Sequence, residues 1–571
     1  MIDALSNALR ALPERGRALR DAARDAPENL RVSARFSTHS GLLWSLTRGG
    51  LGAMVRAGLS GSQNPSLIYR IHGKNSPSKP AIVFRGRTTS WAELDARIDR
   101  LASSLVRRGV GRRERLLIMM RNRPEMIELG AAAARVGAGA VSVSWRTTAA
   151  ELEYLANHSG ARGIAIDEEL YPVLEQARHA LSAELLQNVF VVGASAPKGT
   201  TALDRLYDDE PSRFDDASLD DDASVVIYTS GTTGKPKGAV RKFPKDTIRS
   251  ILRFVNETPL RVDDVHIVAC PLYHSTAFGF LSISHILGNT AVVMDEFKPE
   301  AFLELVDRHR ASTSAMVPTM LHRILELPEE TRRKYDTTTL RALFSGGAPL
   351  SGPLANDFMD VFGDVVFNFY GATETGLVTL AKPEDLRAAP GTIGRAVPGN
   401  DIRLLDDDGR PVRQGEAGEL FVKNPMLVAG YHRDDDATQQ SMRDGYFSVG
   451  DLARCDRDGR YFIEGRKRDM IITGGVNVYP AEVEAAFDAH PDVAECAVVG
   501  LPDREWGERV AAFVVPRQGA TIDEGSLKAH ARERLSGPKV PRQFVVLEAL
   551  PRNPTGKVLK RELRAMYGQP G

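Results

Sequence analysis

The chain has 571 residues, 42 % of them hydrophobic, and its 74 basic and 74 acidic residues give a formal net charge of zero at pH 7. This length predicts several packed domains with an ample apolar core, typical of a cytoplasmic protein. Zero net charge disfavours binding to nucleic acid. Cys270, Cys455 and Cys496 lack CxxC spacing and a nearby histidine cluster. We therefore expect buried, reduced thiols, with no disulfide and no zinc site.

The first sixty residues form an arm with its own composition. Residues 1–28 mix arginines with acids at helical intervals, which predicts an exposed amphipathic helix rather than a secretory signal. Residues 30–60 carry four arginines and no acid. The arginines and glycines argue against a membrane-spanning helix, which needs about 20 mostly apolar residues. Two interpretations stay open: an interfacial helix in peripheral contact with a membrane, or an arm packed on the protein's own surface or on a second subunit of a homodimer.

From Ser78 onward, strand-like and helix-like segments alternate. Residues 80–91 predict a β-hairpin, with Ser90 capping the next helix. Residues 124–136 show apolar positions at helical spacing. The same alternation recurs between residues 262 and 366, and it implies parallel sheets buried by helices.

The pattern changes near Ile402. Short β segments there are separated by Asp-Gly and Gly-Glu turns, which predicts a small β-rich subdomain. After Arg466, roughly a hundred residues combine strands with a helix over residues 480–488, and a segment of that size can form a domain.

The run YTSGTTGKPKG, residues 228–238, is the most informative part of the chain. Its glycines allow the backbone to approach phosphates closely, while hydroxyls, N–H groups and two lysines supply donors and positive charge. It differs from a Walker A loop because Gly231 and Gly234 stand too close together and Pro236 would disrupt the first turn of the helix. The run predicts a polyphosphate-binding loop, and the alternative is a surface turn.

This run resembles the phosphate-binding signature of the adenylate-forming superfamily, which includes acyl-CoA synthetases, peptide-synthetase adenylation domains and luciferases. Further motifs of that superfamily follow in order, and the resemblance as a whole covers the chain from about residue 78 to its end. They are residues 271–275 (substrate gate), 345–349 (adenine edge), 368–376 (adenine stacking and magnesium), 447–451 (ribose), 465–469 (hinge) and 554–557 (C-terminal lysine).

The resemblance implies an α/β fold in three parts. Residues 1–60 are the N-terminal arm. Residues 61–467 form a large N-terminal domain of two parallel-sheet α/β subdomains and a small β-barrel-like subdomain. Residues 468–571 form a small mobile α+β lid domain, with Arg468 at the hinge.

The resemblance also implies a reaction. ATP and Mg²⁺ activate a small-molecule carboxylic acid as an acyl adenylate, and coenzyme A then takes the acyl group. A carboxylate is a poor electrophile, whereas an adenylate leaves as a phosphate monoester. The protein must hold two anions together and neutralise developing charge, which is positioning and electrostatic work.

The resemblance assigns roles to single residues. The catalytic set comprises Lys557, which contacts the carboxylate and the α-phosphate, Thr373, which donates to the α-phosphate, Glu374, which is also the magnesium ligand, and His274 at the gate. The binding set comprises Thr229, Ser230, Gly231, Thr232, Thr233, Gly234 and Lys237 for the β- and γ-phosphates, Gly346, Gly347 and Ala348 at the adenine edge, Tyr370 stacked on adenine, Asp451 and Arg466 at the ribose, and Gly475 beside pantetheine.

Several alternatives remain open. His274 could equally be a core histidine bonded to a backbone carbonyl. Residues 274–280 and 315–320 predict an apolar acid pocket without positive charge, which favours a fatty or other hydrophobic acid and leaves aryl and sterol-side-chain acids open. Free CoA is the favoured acceptor. The alternatives are an acyl-AMP ligase that loads an acyl carrier protein, and an inactive nucleotide-binding scaffold.

Overall fold

A computed structural model describes residues 32, 35–41, 45, 47–52, 64–211, 224–229, 237–241, 245–474, 476–535, 537–552 and 558–568. The predicted local signals are present: residues 80–84 and 87–90 pair as an antiparallel hairpin. The Ser90 hydroxyl accepts the N–H of Glu93 and caps the next helix. The amphipathic helix predicted over residues 1–28 lies outside the described residues.

The first two subdomains alternate strands with helices. Their strands are β1 (Pro80–Phe84), β2 (Arg87–Ser90), β3 (Arg115–Met119), β4 (Gly139–Val143), β5 (Gly163–Asp167), β6 (Val189–Val192), β7 (Thr201–Ala202), β8 (Ser224–Thr229), β9 (Lys237–Arg241), β10 (Val265–Val268), β11 (Thr290–Val293), β12 (Thr313–Met316), β13 (Ala342–Ser345), β14 (Val366–Ala372), β15 (Gly376–Ala381) and β16 (Arg395–Ala396).

The helices of this part connect the strands and cover the sheets. They are α1 (Leu67–Asn75), α2 (Trp91–Arg107), α3 (Pro124–Arg135), α4 (Ala149–Ser159), α5 (Tyr171–Ala177), α6 (Ala183–Gln187), α7 (Lys245–Asn256), α8 (Ser275–Ile286), α9 (Pro299–His309), α10 (Pro318–Leu325), α11 (Glu329–Arg333), α12 (Gly352–Phe362) and α13 (Pro383–Ala388).

Within the described ranges, these strands form two large, mainly parallel sheets. One has the order β7-β6-β5-β3-β4-β8-β9, and only its edge pair β8–β9 is antiparallel. The other has the order β16-β15-β14-β13-β12-β10-β11-β1-β2, with antiparallel pairs at both edges. Every residue of β5, β6, β12 and β13 is buried, as expected for strands covered on both faces. The α/β fold class is confirmed.

The rest of the chain forms a β-rich subdomain and a smaller C-terminal unit. Their strands are β17 (Asp401–Leu405), β18 (Gly418–Lys423), β19 (Met442–Arg443), β20 (Tyr446–Phe447), β21 (Asp451–Cys455), β22 (Tyr461–Arg466), β23 (Ile471–Thr473), β24 (Val476–Val478), β25 (Val493–Asp503), β26 (Gly507–Pro516) and β27 (Gln543–Val546). Their helices are α14 (Asp435–Ser441), α15 (Pro480–Asp488), α16 (Glu524–Arg534) and α17 (Lys560–Tyr567).

The motifs lie at the carboxyl ends of strands in both large sheets. The phosphate run follows β8, the gate motif follows β10, and the adenine motif follows β13. Strand β14 ends immediately before Thr373 and Glu374. Crevices at the carboxyl ends of parallel strands are the usual binding sites of α/β folds. The region at these strand ends is therefore the candidate site.

The described part of the N-terminal arm packs on the protein's own body. Phe36 is 4 % exposed and lies in a core cluster with Phe254 and Phe280. His39 Nε2 is 2.7 Å from the carbonyl of Thr258, and the Thr47 N–H donates to Asn75 Oδ1 at 2.8 Å. These contacts fit the interpretation of an arm packed on the protein's own surface. In the described ranges, no helix has the length and apolarity needed to cross a bilayer.

The three cysteines are all free, but they differ in burial. Cys270 is buried as predicted, whereas Cys455 and Cys496 are only partly buried. The prediction of three buried thiols was therefore wrong for two of them, because Cys455 ends β21 near the sheet rim and Cys496 lies on a half-buried stretch of β25.

We expect Phe36→Ala to destabilise the protein by about 3 kcal/mol, because it removes a buried aromatic ring and leaves a cavity in a packed cluster. Leu51→Ala in the same arm is the control. Leu51 is 54 % exposed, so its loss should cost less than about 0.5 kcal/mol. Thermal unfolding measures both variants, and equal midpoints would contradict packing of the arm.

Candidate active site

The strands that enter and leave the phosphate run, β8 and β9, pair with each other along the run's two ends. Strands β8 and β9 are antiparallel, with Thr229 opposite Lys237. Residues 230–236, which include the predicted Ser230, Gly231, Thr232, Thr233 and Gly234, lie outside the described residues, as does the Thr229 side chain. Lys237 Nζ lies 3.5 Å from Asp434 Oδ2 and 5.1 Å from the centre of the Tyr431 ring. One of the two predicted phosphate-binding lysines is thus placed at the exit of the run.

The turn after β14 brings together the gate and magnesium motifs. Thr373 and Glu374 are both buried. Thr373 Oγ1 donates to Ser275 Oγ at the start of α8, at 3.1 Å. The Tyr431 hydroxyl donates to Glu374 Oε1 at 3.0 Å. Side chains that are far apart in the sequence therefore meet around this turn.

Backbone bonds hold the same turn in place. The carbonyl of Thr373 accepts Arg241 Nη2 at 2.5 Å, and the carbonyl of Glu374 accepts the N–H of Val428 at 2.9 Å. Asn424 Nδ2 donates to the carbonyl of Thr375 at 2.9 Å. Three successive carbonyls thus have donors from outside the turn, so buried backbone acceptors are satisfied and their positions are restricted.

The adenine-edge loop needs its glycines. A Cβ on Gly346 would lie 2.4 Å from Phe369 Cζ, so a side chain there would displace the ring. Gly347 has φ +78° in the left-handed region, and a Cβ there would meet Thr276 Oγ1 at 3.7 Å. Ala348 follows and is half-buried. This loop therefore packs closely against the start of α8.

The predicted ribose residues form one contact group. Asp451 and Arg466 are opposite each other on β21 and β22, and Arg466 Nε is 3.1 Å from Asp451 Oδ1. The Tyr370 hydroxyl donates to Asp451 Oδ2 at 2.8 Å. Burial is the main cause that raises the pKa of Tyr370 well above its ordinary value, and the Asp451 charge adds to it. The phenol is therefore a neutral donor that fixes both the carboxylate and its own ring.

His274 has an unpartnered ring nitrogen. It precedes α8, and its ring centre is 4.1 Å from that of Tyr273. Within the described part of the chain, the buried Nε2 has no hydrogen-bond partner. Burial lowers the pKa of His274 to about 4. The imidazole is neutral at pH 7, and its Nε2 is not the nitrogen that would bond a carbonyl among the described residues.

Parts of the two segments predicted to line the acid pocket, residues 274–280 and 315–320, are buried in the protein core. Ala315, Met316 and Phe280 are buried in core clusters. The groups at the adenine-edge loop are Thr276 and Val317, which would lie 3.7 Å and 3.8 Å from a Cβ on Gly347. The surface next to the site is smaller than the two predicted segments.

The two predicted lid residues, Lys557 and Gly475, lie outside the described residues. Their neighbours are placed. Gly474 has φ +57° and donates its N–H to the carbonyl of Trp506 at 2.9 Å. After Arg468, the predicted hinge residue, Asp469 forms an ion pair with Arg564 of α17 at 2.9 Å.

Sequence reasoning missed two residues of this site, Arg241 and Tyr431. Arg241 comes four residues after Lys237 on β9. Because side chains alternate along a strand, the two lie on the same face, and this periodicity could have indicated Arg241 from the sequence. Tyr431 reaches the site because Ala239 of β9 pairs with it in an isolated bridge. No local pattern indicates that pairing.

Glu374 fits the role of a ligand for a hard cation. It presents a buried carboxylate, and Arg241 Nη2 donates to the carbonyl of the preceding Thr373. Across the described ranges, no group of three or more His, Cys, Asp or Glu residues converges as a metal site. A magnesium ion held here would need phosphate oxygens as well as Glu374, which is how Mg²⁺ commonly binds with nucleotides.

Comparison with known proteins identifies the class. The model of the AMP-binding enzyme family matches residues 70–432, and that of the AMP-binding enzyme C-terminal domain matches residues 482–557. The chain therefore belongs to the AMP-binding enzyme family, and the resemblance to the adenylate-forming superfamily is confirmed.

Individual relatives cover nearly the whole chain. A feruloyl-CoA synthase from Amycolatopsis sp is 37 % identical over 499 residues, which are 86 % of this chain and 97 % of that protein. A fatty acid–acyl-carrier-protein ligase, ScoC, from Streptomyces coeruleorubidus is 31 % identical over 505 residues, covering 87 % and 95 %. The crystal structure of ATP-bound MatB from Rhodopseudomonas palustris has a TM-score of 0.80 at 32 % identity, covering 88 % and 99 %. Similarity to CoA ligases supports a general role in acyl-CoA synthesis.

We expect His274→Gln to change how stability depends on pH. The pKa of His274 is lowered from 6.5 to about 4, so between these values the unfolded chain binds a proton that the folded protein excludes. The free energy of unfolding is therefore unaffected by the titration of His274 above pH 6.5. It falls by about 1.4 kcal/mol per pH unit as the pH decreases from 6.5 toward 4.

Glutamine does not titrate. The stability of the variant relative to wild type should therefore increase as the pH is lowered from about 7.5 to about 5. Thermal midpoints of both proteins at both pH values measure the effect. Midpoints that move in parallel would show that His274 is not held neutral.

Proposed function

We propose that the protein is an ATP- and magnesium-dependent acyl-CoA synthetase that activates a hydrophobic, fatty carboxylic acid through an acyl adenylate and releases AMP and pyrophosphate. The observation that carries this proposal is the meeting of two motifs and of the strand that leaves the phosphate run at one turn. Thr373 contacts Ser275 of the gate helix and Arg241 of the strand that leaves the phosphate run. One small region can therefore hold an acid and a nucleotide phosphate side by side.

The described side chains suit the binding of an adenylate. Asp451 keeps a carboxylate in place through Tyr370 and Arg466, and it can accept further bonds from ribose hydroxyls. Thr373 offers a hydroxyl near the gate helix. In the proposed reaction, these groups orient the reactants, while Lys557 and Lys237 neutralise developing negative charge.

We propose an apolar acid because the side chains placed next to the adenine-edge loop carry no charge. Thr276 and Val317 are the side chains at the adenine-edge loop, and the neighbouring His274 is neutral. A second carboxylate in this place would be desolvated without a partner. A hydrophobic monocarboxylate, such as a fatty acid, avoids that cost.

A carrier-protein acceptor is the second candidate function, because the similar protein ScoC is a fatty acid–acyl-carrier-protein ligase. The feruloyl-CoA synthase relative favours free CoA and shows that an aromatic acid belongs in any substrate test. Thioester formation with free CoA separates the two acceptors.

The separation of two half-reactions tests this proposal. Wild type should convert dodecanoate, ATP and CoA to the thioester. Lys557→Ala should lose acyl-adenylate formation by roughly a thousandfold, because the cation between two reacting anions is gone, and should still convert supplied acyl adenylate and CoA to thioester. Rapid-quench assays measure each step.

Gly475→Leu is the reciprocal control. A side chain at the proposed pantetheine passage should leave pyrophosphate release intact and stop thioester formation. Equal loss of both steps in both variants would contradict the assignment of separate roles to these two residues.

A further inference from the structure

Arg241 is a half-buried cation that has no role among the residues of the proposed reaction. It is the last residue of β9, the strand that leaves the phosphate run. Its Nη1 donates to the carbonyl of Met426 at 3.0 Å, and its Nη2 donates to the carbonyl of Thr373 at 2.5 Å. Among the described residues, no carboxylate forms an ion pair with it. Its partners are two neutral backbone carbonyls.

The contacts of Arg241 join two parts of the site. The turn at residues 373–375 is also held by Val428 and Asn424, both of which come from the loop that follows β18. Arg241 is the donor that comes from the phosphate-run strand. It therefore ties the turn that carries the Thr373 and Glu374 side chains to β9, which begins at Lys237.

Charge makes this arrangement informative. A partly desolvated guanidinium without a paired carboxylate is unfavourable, and desolvation lowers the pKa of Arg241 while the Glu374 charge opposes that effect. A neutral donor could satisfy one carbonyl without that penalty. A planar guanidinium donates in two fixed directions, so it can bridge two carbonyls that a lysine or an amide would reach singly. Its charge also adds to the positive potential at a site proposed for a polyanion.

We propose that Arg241 is a positioning residue, which holds Thr373 and Glu374 in register with β9 and its Lys237 by bridging the carbonyls of Thr373 and Met426. The inference rests on the proposed function, since it concerns the binding of the nucleotide phosphates. It adds a residue that none of the recognised motifs contains.

Arg241→Met and Arg241→Lys test the proposal. In acid-dependent exchange of pyrophosphate into ATP, Arg241→Met should raise the KM for ATP roughly tenfold or more and change the KM for the acid less than about threefold. Thioester formation from supplied acyl adenylate and CoA should stay within about twofold of wild type. Arg241→Lys keeps the positive charge but cannot donate in two fixed directions as the guanidinium does, so it should give an intermediate KM for ATP.

Arg115→Met is the matched control. Arg115 is a half-buried arginine at the start of β3 in the same sheet, and it also donates to a backbone carbonyl, that of Ser159 at 2.7 Å. Its loss should leave the KM for ATP unchanged. If the role of Arg241 were purely structural, Arg241→Met would lower the rates of pyrophosphate exchange and of thioester formation together. Equal loss of both rates would overturn the proposal.

Chemical rescue and direct binding complete the test. Guanidinium ion should restore ATP affinity to Arg241→Ala, which a loss of folding alone would not allow. Equilibrium binding of ATP needs no turnover, so it tests Arg241 even if wild type shows no exchange with any acid, a result that would refute the proposed function alone. If Arg241→Met does not fold, Arg241→Lys is the decisive variant. ATP affinity equal to that of wild type in the folded variant would overturn the proposal.

Discussion

The buried turn at residues 373–375 is the constraint on which the rest of the site depends. Its three carbonyls lie away from water and must find donors, and these donors come from β9 and from the loop after β18. Satisfying the turn therefore joins the edge of the first sheet to the carboxyl edge of the second. The Glu374 carboxylate and the Thr373 hydroxyl are fixed by this backbone requirement as well as by their own contacts.

A second link ties the β-rich subdomain to the same edge. Tyr370 lies at the end of β14 in the second large sheet, and its hydroxyl meets Asp451 at the start of β21. Arg466 completes the charge balance from the opposed position on β22. Because phenol and guanidinium hold one carboxylate oxygen each, Asp451 has a defined orientation toward the crevice before any nucleotide binds.

Local chemistry made much of this architecture predictable. The Ser90 cap, the helix after Pro124 and the Asp-Gly turns beyond Ile402 follow from short-range rules of capping and turn geometry. The family was predicted from the resemblance of several motifs that occur in the same order along the chain.

Long-range pairing was not predictable from the sequence. Tyr431 reaches Glu374 because residues 429–432 add to the free edge of β9, and an edge pairing depends on the whole fold. The sequence left a membrane contact open for residues 30–60, whereas Phe36 of that segment packs in a cluster with Phe254. An apolar side chain next to arginines has the same sequence pattern at a bilayer and at a protein surface, and only the presence of a complementary core decides between them.

Carboxylate-dependent exchange of labelled pyrophosphate into ATP tests the central claim most directly, because it reports acyl-adenylate formation without CoA. We expect exchange only when ATP, Mg²⁺ and a hydrophobic acid are all present, with fatty acids such as dodecanoate exceeding ferulate and with dicarboxylates inactive. Exchange that requires no acid, or its absence with every fatty and aromatic acid while ATP still binds, would contradict the account and favour a nucleotide-binding scaffold.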